Sequence, residues 1–195
     1  MANETIKLIG LTEALKFINQ LPGEAALSAK KIFADTAMSV QRQMAQRSMN
    51  GPLNARTGEL GRSWKFSSFG TSLGDIGSST FTTSPYAAIH EHGGVIRAKR
   101  AYRGLPGGPY LNIPSKANQT GAGVMRRSAR DVFSAGGYIV RIKNTGKAKF
   151  AVIQNGKAMF WLVKEVKIPA RLGFEETATK EIPTLLSRLK GLKLE

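Results

Sequence analysis

The chain has 195 residues and a mass of 21.1 kDa, with 29 Lys and Arg against 13 Asp and Glu, a formal charge of +16. With 42% hydrophobic and 22% charged residues it has enough apolar matter for a packed core, which excludes wholesale disorder. The absence of cysteine excludes a disulfide framework, thiolate catalysis and cysteine-based zinc sites. No basic start precedes a long apolar run and no stretch of about 18 apolar residues occurs, so a soluble, intracellular, unprocessed chain with no membrane partner is expected.

The first third reads as helical. Thr12 can cap a short amphipathic segment that ends before Pro22. Ala26, Ala29, Phe33, Ala37, Val40 and Met44 then recur at helical spacing and predict one long helix from Pro22 to Ser48, ended by Asn50-Gly51-Pro52. A stripe so rich in alanine permits close approach to a flat partner such as a sheet. From Trp64 the pattern changes to strands: 64–69 and 79–83 read as a hairpin. Residues 85–92 read as a short helix with Pro85 at its first position, closed by Gly93 and Gly94. Strands are predicted at 138–143, 150–154 and 159–163, the last two joined by Asn155-Gly156, the strongest hairpin signal in the chain. Phe174, Ala178, Ile182, Leu185 and Leu189 predict a terminal helix that Pro183 should kink or split. The class is α+β: a long N-terminal helix and a C-terminal helix packed on one face of a small antiparallel sheet. A single domain, 1–195, is expected, with 95–165 as a basic loop and β-hairpin insertion within it.

The charge is concentrated. Residues 96–164 hold 14 Lys and Arg against one acidic residue, +13 of the total. Three clusters stand out: Arg97, Lys99, Arg100 and Arg103; Arg126, Arg127 and Arg130; and Arg141, Lys143, Lys147 and Lys149, the last along a strand and its turn so that alternate members project from one side. Such a segment reads as a solvated face, a surface laid against phosphates, or a contact for an acidic protein. No zinc finger, helix-turn-helix or aromatic stacking signature reads bases, so nucleic-acid contact is expected at the backbone, without sequence specificity.

Catalysis finds little support. His90 and His92 are the two histidines, and their i, i+2 spacing puts them on different sides of a helix, which disfavours a metal site shared with Glu91. No Gly-x-Ser-x-Gly elbow exists. Residues 121–127 lack the Gly-Lys-Ser/Thr ending of a phosphate loop and read as a mobile basic loop. No catalytic residue, cofactor or metal is assigned.

Three short stretches carry a resemblance. Residues 56–64 (RTGELGRSW), 85–94 (PYAAIHEHGG) and 168–174 (IPARLGF) are similar, in order and approximate spacing, to segments of the head-tail joining and tail-completion (neck) proteins of tailed phages. The stretch 150–157 followed by 166–169 and a terminal helix also resembles the minor tail protein Z family of phage lambda. The chain departs from compact members in holding about 70 residues between Gly94 and Ile168. The resemblance implies a virion protein assembled in the host cytoplasm as a homo-oligomeric ring, six-fold favoured. Its neighbours would be tail terminator, tail tube or head-tail connector proteins, with contact to double-stranded DNA as a further possibility. A free, non-sequence-specific DNA-binding protein is the alternative. The residues in the three stretches have a physical reading of their own. Thr57 caps a short helix whose inner side is Leu60 and Trp64, and Gly58 and Gly61 permit close packing. Tyr86 and Ile89 anchor the next helix, leaving Glu91 for a salt bridge or subunit contact, and Gly93 allows a reversal. Pro169 and Arg171 fix the approach to the last helix at Phe174, with Arg171 placed to pair with Glu175 or Glu176.

Overall fold

Alanine at the right spacing lets a helix and a hairpin approach closely. In the computed structural model, which describes residues 25–53, 56–71, 75–102, 104–143 and 146–192, helix α1 spans Ala25–Asn50 and is about 39 Å long. All six stripe residues, Ala26, Ala29, Phe33, Ala37, Val40 and Met44, are buried. The segment expected between Thr12 and Pro22 lies outside the described residues. A four-residue helix, α2 (Glu59–Arg62), leads into strands β1 (Trp64–Phe69) and β2 (Gly77–Thr82), an in-register antiparallel hairpin. This hairpin packs on α1 through hydroxyls. Ser78 donates to the Phe33 carbonyl at 2.8 Å and Thr80 to that of Ala37 at 2.9 Å. Two residues of strand advance about 6.6 Å and four of helix about 6 Å, so same-face strand positions meet successive helix turns in step.

Helix α3 (Ala87–His92) begins two residues after Pro85. The C-terminal helix α5 (Phe174–Lys190) runs antiparallel to α1, as the Arg188–Asp35 pair (2.7 Å) and the Gln43–Glu181 hydrogen bond show. It is one element through Pro183. Both Pro183 and Thr179 are exposed, so the carbonyl four residues before the proline faces water rather than the core. The fold is α+β as expected, with a long N-terminal helix, a C-terminal helix and small antiparallel sheets.

The chain divides into two compact units, residues 1–92 with 170–195, and residues 93–169. The second contains the stretch 95–165. Its ends are clipped by β3 (Gly94–Arg97) and β8 (Glu165–Ile168), paired so that Gly94 faces Ile168. Between them lie β4 (Leu111–Pro114), α4 (Ala129–Ser134), β5 (Tyr138–Arg141), β6 (Ala148–Gln154) and β7 (Lys157–Val163). The strands form one antiparallel sheet in the order β4-β7-β6-β5. Asn155 and Gly156 both have positive φ, 50° and 73°, the twist that a two-residue β6–β7 turn demands. One sheet face is the core: Phe150, Val152, Phe160 and Leu162 are buried with Tyr110 and with Val132 of α4. Tyr110 meets Phe150 edge-on at 5.4 Å.

Among the described residues no helix is long and apolar enough to cross a membrane. Because Ala29 is fully buried while Leu27 is 77% exposed, Ala29→Leu is expected to cost about 1–3 kcal/mol by overpacking. Leu27→Ala is expected to stay within about 0.5 kcal/mol. Urea-denaturation midpoints with unchanged m-values check both.

Candidate polyanion-binding surface

The unit 93–169 carries 15 Lys and Arg against two carboxylates, Asp131 and Glu165. Both carboxylates are engaged. Glu165 pairs with Arg97 at 3.0 Å across β3 and β8. Asp131 closes a capping box at the start of α4, accepting from the Ser128 backbone and hydroxyl while its own N–H is bound by the Ser128 side chain. That hydroxyl bond, the Ser128 N–H and the nearby Arg130 and Arg127 hold the Asp131 carboxyl below its ordinary range. Cations outnumber carboxylates fifteen to two in this unit.

Strand pairing gathers these cations at the two ends of the sheet. At one end β5 finishes in Arg141 and β6 begins beside Lys147, with Ile142 N–H on the Lys149 carbonyl at 3.0 Å. Val163, which pairs with Ala148 and Leu111, is followed there by Lys164, whose carbonyl accepts from Ala98 at 3.2 Å. Tyr110 N–H in turn binds the Ala101 carbonyl at 2.8 Å. Lys99, Arg100, Arg141, Lys143, Lys147, Lys149 and Lys164 are therefore neighbours within a few strand spacings, and all are exposed. Lys99 and Arg100 of the first sequence cluster thus join the third. Arg103 lies outside the described residues. The third cluster does not line one strand face as expected, because β5 stops at Arg141, Lys143 and Lys147 fall in the turn, and Lys149 sits where the β6 register shifts.

At the opposite end stand Lys116, Arg126, Arg127, Arg130 and Lys157. The fully buried Asn118 organises them: its amide donates to the Arg127 carbonyl at 2.9 Å and its carbonyl accepts from Arg127 N–H at 3.0 Å. Arg126 adds backbone and side-chain bonds to Asn118 and Gln119, and Arg127 reaches Gln154 at 3.5 Å. The stretch 121–127, expected as a mobile loop, is a hydrogen-bonded turn, because Thr120 and Val124 bond across it and Gln119 bridges Met125. Sequence reading missed α4, although Ser128 and Asp131 stand at capping-box spacing.

The parts of the three family-like stretches that lie in the first unit, 56–64, 85–92 and 170–174, have structural work there. Trp64 stacks on Phe174 at 5.3 Å and 9° and donates to buried Ser48 at 3.0 Å. These two rings share a core cluster with Ala87, Leu172, Met44 and, at its border, Leu60. Arg47 donates to the Leu172 carbonyl at 2.9 Å. Glu91 holds the start of α5: its carboxylate accepts from Phe174 N–H at 2.8 Å and Glu175 N–H at 3.2 Å. It is thus bound within the chain, where a salt bridge or subunit contact was expected. The His90 carbonyl accepts from Arg171 and Leu172 at 2.8 and 2.9 Å.

Other expectations change. Gly58, in the left-handed region at φ 68°, is the residue before α2, and Thr57 caps from one position further back, its hydroxyl accepting from Glu59 N–H at 3.4 Å. Trp64 lies on β1, not on the helix. Tyr86 is 57% exposed and Ala87 is the buried anchor. Glu176 pairs with Lys180 at 2.6 Å, and among the described residues Arg171 forms no ion pair with it or with Glu175. Gly93 has a φ of 72°, as a reversal requires, and Pro169 follows β8 directly. Among the described residues no three His, Asp or Glu side chains are grouped to hold a metal ion.

Glu91→Ala is expected to destabilise the chain by about 1–2 kcal/mol through loss of the α5 cap. Glu91→Gln should cost less, since an acceptor remains; denaturant melts measure both. Burial, and then Arg171, hold the His90 imidazole below its ordinary value of 6.5. The unfolded chain therefore binds this proton more readily. The contribution is full above about pH 6.5 and is lost as pH falls through the folded pKa. Stability measured against pH should show this decline, and His90→Gln should remove it.

Compared with protein-family models, with curated proteins and with solved structures, the chain matches none.

Proposed function

We propose that this protein is a non-enzymatic structural component of the neck of a tailed double-stranded DNA phage, completing the tail or joining it to the head as a ring. What carries the reading is the division of labour along the chain. Residues 56–64, 85–92 and 170–174 of the family-like stretches knit the first unit together, and the unit 93–169, holding +13 of the chain's +16, is inserted between the last two of these segments. A scaffold of that kind assembles, while the cationic unit meets a polyanion or a carboxylate-lined neighbour. Subunits related by rotation would bring like charges together, so counter-charge must come from DNA or from an adjacent ring. Contacts through exposed Lys and Arg go to phosphates and carry no sequence information.

The concentration of charge also favours a second reading, a free DNA-binding protein. Sizing of the purified chain together with duplex titrations across a salt series separates the two. A stable ring that binds duplex weakly supports the neck, whereas a monomer that binds tightly and with steep salt dependence supports the free binder. Replacing Arg97, Lys99, Arg100 and Arg103 by Gln is expected to impair tail joining or DNA retention in the particle, and unimpaired particles would count against that cluster. In low-salt duplex titrations, changing Arg141, Lys143, Lys147 and Lys149 to Gln should flatten the log K against log salt slope by about 3–4, as expected for the loss of four phosphate contacts.

A further inference from the structure

The second unit uses one face of its sheet for the core and leaves aromatic rings exposed on the other. Phe150, Val152, Phe160 and Leu162 occupy the core face. Their alternates point the other way: Trp161 pairs laterally with Ala151 on β6 and with Ile113 on β4, and Ala151 pairs with Val140 on β5. Tyr138, two residues before Val140 in a strand whose register with β6 is unbroken, shares this outer face. Trp161 is 40% exposed and Tyr138 54%, while the small Ala151 between them is buried, as is Val163 on the same face. Two strand spacings and two residues separate the rings, on the order of 12 Å, which leaves room for a separate flat group on each.

We propose that this outer face is a stacking platform for single-stranded DNA, with bases on Trp161 and Tyr138 and phosphates on the cations at the sheet ends. An apolar sheet face invites either a protein partner or a flat aromatic ligand, and charge decides between them. Two copies of a unit carrying fifteen Lys and Arg against two carboxylates repel one another, whereas a single strand supplies both phosphate charge and base faces. Stacking on aromatic side chains is tolerant of sequence because every base has a π-face. Duplex DNA keeps its bases stacked internally and offers this surface its phosphates alone. The inference draws on the cationic unit and not on the location of the protein in a virion.

Titration of the full-length protein with a short oligo(dT) and with a duplex of equal length tests it. Trp161→Ala and Tyr138→Ala should each weaken oligo(dT) binding about 5- to 150-fold and leave duplex affinity and the salt slope of binding unchanged, with Trp161→Phe retaining most of the affinity. The second tryptophan, Trp64, is buried against Phe174. Fluorescence quenched by oligo(dT) should therefore come from Trp161 and vanish in Trp161→Phe, a readout that does not depend on the alanine variants folding. Unaltered oligo(dT) affinity in folded Trp161→Ala overturns the proposal, as does a change in assembly size without a change in affinity, which assigns the face to a protein neighbour. Tighter binding of oligo(U) than of oligo(dT) overturns the choice of DNA. Loss of binding in the Gln variants alone leaves the cationic surface standing and removes the platform.

Discussion

Mutual repulsion among fifteen cations in one small unit is the constraint around which that unit is built. With two carboxylates available, ion pairing cannot relieve it, and both acids are spent locally, one across the β3–β8 clip and one in the α4 cap. What relieves it is placement. The strands of the sheet carry apolar residues through their middles and deliver the cations to turns and strand ends, where exposure keeps the local dielectric high and each charge hydrated. Burial of Phe150, Val152, Phe160, Leu162 and Tyr110 then stabilises the fold without confining any charge.

The first unit solves a different problem, which is to hold the two points where the chain leaves and returns. It does so by joining the end of α3 to the start of α5. Glu91 and the His90 carbonyl together bind four backbone N–H groups between Arg171 and Glu175, and these include donors that the first turn of a helix otherwise leaves unsatisfied. A carboxylate at that position also complements the positive end of the helix. Trp64 stacked on Phe174 closes the same junction from the β1 side. A glutamate so engaged is a structural element, and its presence in the stretch 85–94 has a physical explanation independent of ligand binding or chemistry.

Much of this architecture was legible in the sequence because local pattern and tertiary demand agree. The α1 stripe, both strands of the first hairpin and the Asn155-Gly156 turn were readable, since each is dictated by spacing or by a required backbone conformation. The strands β3, β4 and β8 were not. Each has four residues, too few for a period-2 pattern to emerge, and each is defined by a partner distant in sequence. The basic clusters were visible as composition, yet their merging at one end of the sheet depends on the β4-β7-β6-β5 order, which no local window contains. Trp161 read as one apolar residue in a strand. Its exposure follows from which face α4 and the loop through Tyr110 cover.

The two cationic ends act at separate points because of distance. The seven residues of β6 span about 20 Å, more than twice the Debye length of about 8 Å at physiological salt. Charges at one end therefore scarcely influence those at the other through solvent, and each end behaves as its own phosphate-binding patch. A polyanion long enough to reach both must cross the sheet between them. The surface it crosses is either the face covered by α4 or the one on which Trp161 and Tyr138 are exposed, and the second offers a flexible strand something besides charge to hold.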